Sequence, residues 1–118
     1  MARATAVTNT KIYGPNVVAK GTANAVTAAT AFYVDADELD ERTVFLYVPG
    51  AGDATLTVAA GTGYAGVNDK EFDCGTSGGQ YAFTLDSARY IIASGENAGL
   101  IKMTPSKNGT FTVLQPKV

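Results

Sequence analysis

The sequence has no histidine and only one cysteine, and both shortages narrow the chemistry that the chain can perform. Hydrolytic sites with an imidazole base, and zinc sites built from cysteine and histidine, need residues that are missing here. A single cysteine also excludes a disulfide within the monomer. We therefore expect a protein that is not an enzyme and that carries no cofactor and no metal.

Charged residues are scarce and nearly balanced, with nine Lys and Arg against eleven Asp and Glu. Nucleic-acid affinity depends mainly on Lys and Arg that neutralise phosphates, so a net charge of −2 argues against a nucleic-acid partner. No run approaches the roughly 18 consecutive apolar residues of a membrane helix. Residues 1–10 also lack the apolar core of a secretory signal. These patterns favour a soluble protein made in the cytoplasm, with no membrane partner.

The overall amino-acid composition favours strands and turns. The chain has 118 residues, 46% of them apolar, which is enough for one domain with its own core. It contains 13 Gly and 15 Thr but little Lys, Glu or Leu, a balance unfavourable for helices. We predict an all-β fold, a small single-domain β-sandwich or barrel of about six to seven strands.

Strict alternation of apolar and polar residues marks three half-buried strands, at residues 54–58, 81–85 and 109–113. Successive side chains of a strand point to opposite faces, so one set in each segment should face the core. The predicted core residues of these strands are Leu56, Val58, Tyr81, Phe83, Leu85, Phe111 and Val113.

Three further strands are predicted from other patterns. Residues 43–48 are apolar on both faces, which indicates a central strand covered from both sides, with Phe45 in the core. Two shorter strands are expected at residues 88–93 and 100–104. A hairpin should join them, because the segment 94–99 contains two glycines that permit positive φ in a turn.

The first third of the chain carries little bulk for a core. Residues 23–31 are mostly Ala, Thr, Asn and Val, and we interpret them as weakly strand-forming or extended. We predict an extended N-terminal arm at residues 1–20, in front of a β domain at residues 21–118, because Gly14-Pro15 blocks a continuous helix there. The sizeable apolar residues of the arm, expected to contact a partner, are Val7, Ile12, Tyr13, Val17 and Val18. Deleting such an arm should leave the melting temperature nearly unchanged.

A glycine pattern at residues 61–66 matches the dinucleotide-binding motif and follows a predicted strand. That function requires a helix that begins at the motif and holds a pyrophosphate with its first amides. The residues between Gly66 and Cys74 leave no room for this helix. We interpret the motif as a turn.

Five carboxylates lie within residues 35–41, a number that could suit calcium. The glycine and the distant glutamate of a calcium-binding loop are not in register, so we favour a short helical turn that Asp35 caps. A weak metal site remains the alternative. Cys74 stands in a glycine-rich segment without a neighbouring base, which predicts an unactivated thiol.

Four segments of the middle and C-terminal parts carry a family resemblance. They are Asp40-Glu41-Arg42-Thr43-Val44, Thr57-Val58-Ala59-Ala60-Gly61-Thr62-Gly63, Ser87-Ala88-Arg89-Tyr90 and Gly109-Thr110-Phe111-Thr112-Val113. Together they resemble the head decoration, or capsid cement, proteins of tailed bacteriophages, over roughly residues 32–114. The resemblance implies a non-enzymatic β-fold on the outer surface of the virion, with the major capsid protein as its partner and further copies of the chain as neighbours on the lattice.

A different class of function is left open by the residues themselves. A small β-sandwich can also be a binding module for carbohydrate or another surface ligand. In that case a tyrosine such as Tyr64, in the glycine-rich segment, would stack on a sugar ring.

Overall fold

The computed structural model of the protein describes residues 5–13, 18–36, 42–50, 53–62, 68–74, 79–85 and 89–116. Over these residues the protein is all-β, with two sheets packed against each other as in a small β-sandwich, which confirms the predicted fold class. The described residues form nine strands, more than the six to seven expected. No helix in this part of the chain is long and apolar enough to cross a membrane.

The strands divide between two sheets, and the chain crosses from one sheet to the other six times. In chain order they are β1 (Asn9–Ile12), β2 (Asn24–Val26), β3 (Phe32–Asp35), β4 (Val44–Pro49), β5 (Ala54–Val58), β6 (Lys70–Cys74), β7 (Tyr81–Phe83), β8 (Leu100–Pro105) and β9 (Gly109–Pro116). Sheet A has the order β1-β9-β4-β7, and β2 also pairs with β9. Sheet B has the order β3-β8-β5-β6.

The core lies between the sheets and consists of the side chains that alternate inward along the strands. Predicted core residues that are buried are Phe45, Leu56, Val58, Leu85, Phe111 and Val113. Tyr81 and Phe83 are only half-buried and pack against this core. The ring of Phe83 stacks on Phe45 at 5.2 Å and on Phe72 of the opposite sheet at 4.4 Å, measured between centroids. The alternation therefore predicted the correct inner face of each strand.

β4 is central in sheet A, between β9 and β7, as predicted for residues 43–48. Its inner residues are buried, whereas Val44, Leu46 and Val48 on its outer face are half-buried. Among the described residues, the outer face of β4 is therefore less completely buried than the inner face, whereas the pattern predicted cover on both faces. The apolar outer face of β4 is a surface feature that the core does not explain.

The predicted hairpin before β8 is confirmed. The N–H of Ile92 donates to the carbonyl of Leu100 at 2.9 Å, and the N–H of Gly99 donates back to the carbonyl of Ile92 at 2.8 Å. The two glycines of the turn, Gly95 and Gly99, have φ values of +92° and +87°. These values lie in the region that glycine adopts without steric cost.

The prediction of a strand at residues 88–93 is wrong for the residues that the structure describes. Among its described residues, 89–93, only one bridge forms, between Ile91 and Ile101. The backbone there pairs elsewhere: the N–H groups of Gly61 and Thr62 donate to the carbonyls of Arg89 and Ile91, at 2.8 and 3.2 Å. Residues 89–93 are therefore held both by the loop after β5 and by the hairpin contacts with β8, but they do not form a continuous strand.

The N-terminal part also differs from the prediction of an extended arm at residues 1–20. The N–H of Val7 donates to the carbonyl of Tyr33 in β3 at 2.9 Å. Immediately afterwards β1 pairs in parallel with β9, from Asn9 opposite Val113 to Ile12 opposite Pro116. Residues 7–12 thus cross from the edge of sheet B to the edge of sheet A. Backbone pairing does not require bulky side chains. A strand can therefore form here although the side chains show no apolar pattern that predicts it.

Candidate interaction surface

The loop between β1 and β2 carries two exposed apolar side chains. Tyr13, directly after β1, is 66% exposed and Val18 is 98% exposed. Within the described ranges these are the only large hydrophobic side chains in that state. Both belong to the set predicted to contact a partner. Isolated apolar residues on a surface are common, but two on one loop mark it as a candidate contact site.

The other residues of the predicted set have different positions. Val7 is half-buried and packs against the core. Ile12 is half-buried within β1. Val17 lies outside the described residues. Val7 therefore contributes to the packing of the interior, whereas the side chains of Tyr13 and Val18 are exposed and accessible to a partner.

The base of this loop is fixed by the side chain of Asn24. Its Oδ1 accepts the N–H of Thr8 at 3.0 Å, and its Nδ2 donates to the carbonyl of Thr8 at 3.1 Å. The same Nδ2 lies 2.9 Å from the carbonyl of Phe111 in β9. The side-chain amide thus acts as a further backbone amide where β1 and β2 lie end to end on one edge of β9.

A second contact fixes the loop near its other end. The N–H of Thr22 donates to Oγ1 of Thr10, which is buried in β1, at 3.0 Å. A Cβ placed on Gly21 would lie 3.4 Å from Thr112 Cγ2 and 3.7 Å from Leu114 Cδ2. The segment around Gly21 therefore lies on the outer face of β9. Tyr13 and Val18 are carried by a loop with an anchored base.

The glycine motif at residues 61–66 has a structural role in its described part. A Cβ on Gly61 would meet the carbonyl oxygens of Ile91 at 2.6 Å and Arg89 at 2.9 Å, so only glycine allows the two backbones this close. Oγ1 of Thr62 accepts the N–H of Ala93 at 2.8 Å. These bonds join the loop after β5 to residues 89–93, while the interpretation of the whole motif as a turn stays a prediction. Residues 63–66, including Tyr64, lie outside the described residues.

The acidic run begins differently from the prediction. Asp35 is the last residue of β3 and pairs with Leu100, so it continues a sheet at the position where we expected it to cap a helical turn. The next N–H, that of Ala36, donates to the carbonyl of Gly99 at 2.9 Å. Residues 37–41, where the rest of the turn was predicted, lie outside the described residues. In the described part of the chain no group of three or more His, Cys, Asp or Glu could hold a metal ion.

Cys74 is the last residue of β6 and is buried opposite Ala54, so it is a core residue and not part of a glycine-rich loop. Burial raises the pKa of its thiol, and the neighbouring charge of Asp73 raises it further. A thiol with a raised pKa is a poor nucleophile at neutral pH. The prediction of an unactivated thiol agrees with this environment.

Burial also raises the pKa of Tyr47, whose ring is fully buried in β4. Because the folded protein keeps the Cys74 and Tyr47 protons to higher pH than the unfolded chain, alkali should favour unfolding. We expect the free energy of unfolding to be fully retained below about pH 8 and to fall above it, first as the unfolded thiol ionises and then as the unfolded phenol ionises near its ordinary value. Urea denaturation at pH 7 and pH 10 measures the change.

Cys74→Ala is the control for this pH dependence. The variant should lose less stability between the two pH values than the wild-type protein, because one of the two groups has been removed. An equal loss in the variant, or no loss in the wild-type protein, would contradict the assignment.

No family model, curated protein or solved structure matches the chain. The functional evidence in the structure is therefore the anchored loop with its exposed Tyr13 and Val18. Asn24, which fixes the base of this loop, was not identified from the sequence. It stands in a run of small residues, and no local signal distinguishes it from its neighbours.

Proposed function

We propose that the protein is a non-enzymatic structural component of a phage virion, which binds the outer surface of the capsid and stabilises the head. The observation that carries the proposal is the exposure of Tyr13 and Val18 on an anchored loop. The resemblance of residues 32–114 to head decoration proteins supports the major capsid protein as the partner. The resemblance also supports a location on the capsid surface of the virion.

The physical properties of the loop suit a contact of moderate strength. Complete burial of one side chain of this type contributes about 1.5–3 kcal/mol, so Tyr13 and Val18 together can supply only part of a stable attachment. Asn24 and Thr10 already hold the backbone of Thr8 and Thr22 at the base of the loop, so these residues lose little further conformational entropy on binding. Tyrosine is suited to such a contact, since it has an apolar ring and a polar hydroxyl.

The test is co-sedimentation of the purified protein with its cognate heads. The double variant Tyr13→Ser/Val18→Ser should bind at least about tenfold more weakly, the equivalent of 1.4 kcal/mol. Its melting temperature should stay close to that of the wild-type protein, because both side chains are exposed. Tyr33→Ser, at a half-buried position in β3, is the matched tyrosine control and should bind as the wild-type protein does.

The possible results of this experiment distinguish an error in the proposed contact site from an error in the proposed function. Wild-type protein that never sediments with the heads would contradict decoration itself. A double variant that binds like the wild-type protein would place the contact elsewhere. A sugar-dependent rise in melting temperature would favour the carbohydrate-binding alternative, for which Tyr64 was the predicted residue.

A further inference from the structure

The connection between β8 and β9 (residues 106–108) leads into a chemically labile pair, Asn108-Gly109. Asn108 is the only asparagine in the sequence that a glycine follows. Glycine has no Cβ, so its backbone nitrogen is open to approach by the preceding side chain. Asn108 is exposed, which gives water and base access to its side-chain amide.

Both residues of this pair have structural roles. A Cβ on Gly109 would overlap the carbonyl oxygen of Val48 and lie 3.0 Å from Cα of Pro49, so the close approach of β9 to β4 requires glycine. Oδ1 of Asn108 accepts the N–H of Ala28, between β2 and β3, at 2.7 Å. The fold therefore uses two residues that react with each other in an unfolded chain.

We propose that Asn108-Gly109 is a deamidation site, which the folded protein protects and which becomes reactive when the β8–β9 connection opens. In the reaction, the backbone nitrogen of Gly109 loses its proton to hydroxide and attacks Cγ of Asn108. The N–Cγ bond forms, the Cγ–Nδ2 bond breaks, and ammonia leaves with a proton taken from water. Water then hydrolyses the resulting succinimide at one of its two carbonyl groups. This leaves aspartate or isoaspartate at position 108, without oxidation or reduction.

Hydrogen bonds hold both the backbone and the side chain of Asn108 in the folded protein. Its backbone carbonyl accepts the N–H of Gly50 at 2.7 Å, while its Oδ1 accepts the N–H of Ala28. One residue earlier, the carbonyl of Lys107 accepts the hydroxyl of Tyr47 at 2.8 Å. The connection is thus fixed to the segments after β2 and β4 and to the buried ring of β4.

Ring closure requires a movement that these bonds oppose. Cγ of Asn108 must turn toward the nitrogen of Gly109, and Gly109 is paired with Pro49 in sheet A. The connection must therefore break part of its hydrogen-bond network before it can react. Deamidation should then follow the local opening of this part of the chain.

The two products should differ in their effect on the fold. Aspartate keeps an oxygen that accepts the N–H of Ala28. Isoaspartate adds one carbon to the main chain directly before Gly109, which already lies against the carbonyl of Val48. Phe111, two residues later, is fully buried and leaves β9 no freedom to shift. We expect isoaspartate to prevent refolding, so that opening becomes irreversible. The proposal requires no phage head and is independent of the proposed function.

Incubation of the full-length protein in mildly alkaline buffer, with and without a denaturing concentration of urea, tests the protection. Proteolysis and mass spectrometry of the peptide that contains Asn108 measure the conversion of its amide to an acid. The folded protein should deamidate at least about tenfold more slowly than the unfolded chain, because the reaction requires local opening. Equal rates in the two states would overturn the proposal, as would an Asn108 that stays intact in urea.

Tyr47→Phe tests whether the hydrogen bonds provide the protection. This variant loses the hydroxyl that holds the carbonyl of Lys107 and keeps the buried ring. The folded variant should deamidate about two- to tenfold faster than the wild-type protein, the range that one intramolecular hydrogen bond supplies. Its rate in urea should be unchanged. Tyr33→Phe, at a half-buried position in β3, is the matched control and should react at the wild-type rate. An unchanged rate in folded Tyr47→Phe, or equal acceleration in both variants, would overturn the proposal.

Refolding distinguishes the two products. After incubation in urea and dilution into native buffer, chains with an intact Asn108 should regain the wild-type melting temperature, whereas chains with isoaspartate should stay unfolded. Asn108→Asp reproduces the other product and should melt close to the wild-type protein, because an oxygen remains for the N–H of Ala28. Isoaspartate-containing protein that regains the wild-type melting temperature would overturn the irreversible step.

Discussion

Replacing Phe111 by alanine should lower the free energy of unfolding by about 3–5 kcal/mol. Phe111 is fully buried in β9, and its ring lies 4.7 Å from that of Phe32 in the opposite sheet and 5.9 Å from that of Phe45. Removing the ring leaves a cavity where the two sheets meet, and a close-packed core cannot collapse to fill it. Chemical denaturation followed by circular dichroism measures the loss.

Phe83→Ala is the matched control for Phe111. Phe83 is half-buried on β7, at the edge of sheet A, and part of its apolar surface already contacts solvent. We therefore expect a smaller loss, about 1–3 kcal/mol. A loss below about 1 kcal/mol at Phe111, or a larger loss at Phe83 than at Phe111, would contradict the register of these strands.

The central strands could be predicted from the sequence because burial on one face imposes a period of two. In β5, Leu56 and Val58 alternate with threonines, and in β9, Phe111 and Val113 do the same. The hairpin glycine Gly95 was predictable for a similarly local reason, since positive φ restricts the residue type. In each case the burial or the backbone angle restricts the residue type at the same position, so the restriction can be read directly from the sequence.

The edge strands could not be predicted because they are held by contacts with distant segments of the chain and not by an apolar pattern of their own. β6 contains Lys70, Glu71 and Asp73, a polar composition that protects an exposed edge but conceals a strand in the sequence. β1 consists of Asn-Thr-Lys-Ile and is held by backbone bonds to β9, about 100 residues later. The side chain that completes this edge belongs to Asn24, in another strand.

The candidate site was predictable only in part. Tyr13 and Val18 are apolar residues in a segment of small side chains, close to Gly14-Pro15, so a surface role was a reasonable prediction. The apolar outer face of sheet A was not identified, because the pattern of residues 43–48 fits a strand that its own chain covers equally well. The structure shows instead that Val44, Leu46 and Val48 on the outer face are only half-buried, whereas the inner residues of β4 are buried.

Deletion of residues 2–12 gives the clearest test of whether the N-terminal segment belongs to the fold. The deletion removes β1, the bond from Val7 to Tyr33, and both bonds from Thr8 to Asn24. Each intramolecular hydrogen bond contributes about 0.5–1.5 kcal/mol, and the packing of Val7 on the core is lost as well. One compensation is expected: the buried amide of Gln115 has no hydrogen-bond partner among the described residues, and the deletion opens a path for water to reach it.

The net effect should be a fall of at least roughly 10 °C in the melting temperature, since 1 kcal/mol corresponds to about 4–8 °C in a domain near this size. Deletion of residues 2–6 is the control; it keeps Val7 and every contact of β1 named above, so its melting temperature should fall much less. If the longer deletion does not fold, amide hydrogen exchange on the full-length protein replaces it, and the N–H of Val7 should be protected through its 2.9 Å bond to Tyr33. An unchanged melting temperature after the longer deletion, or an unprotected Val7 amide, would restore the extended arm, because a segment that leaves the sheet without cost is not one of its strands.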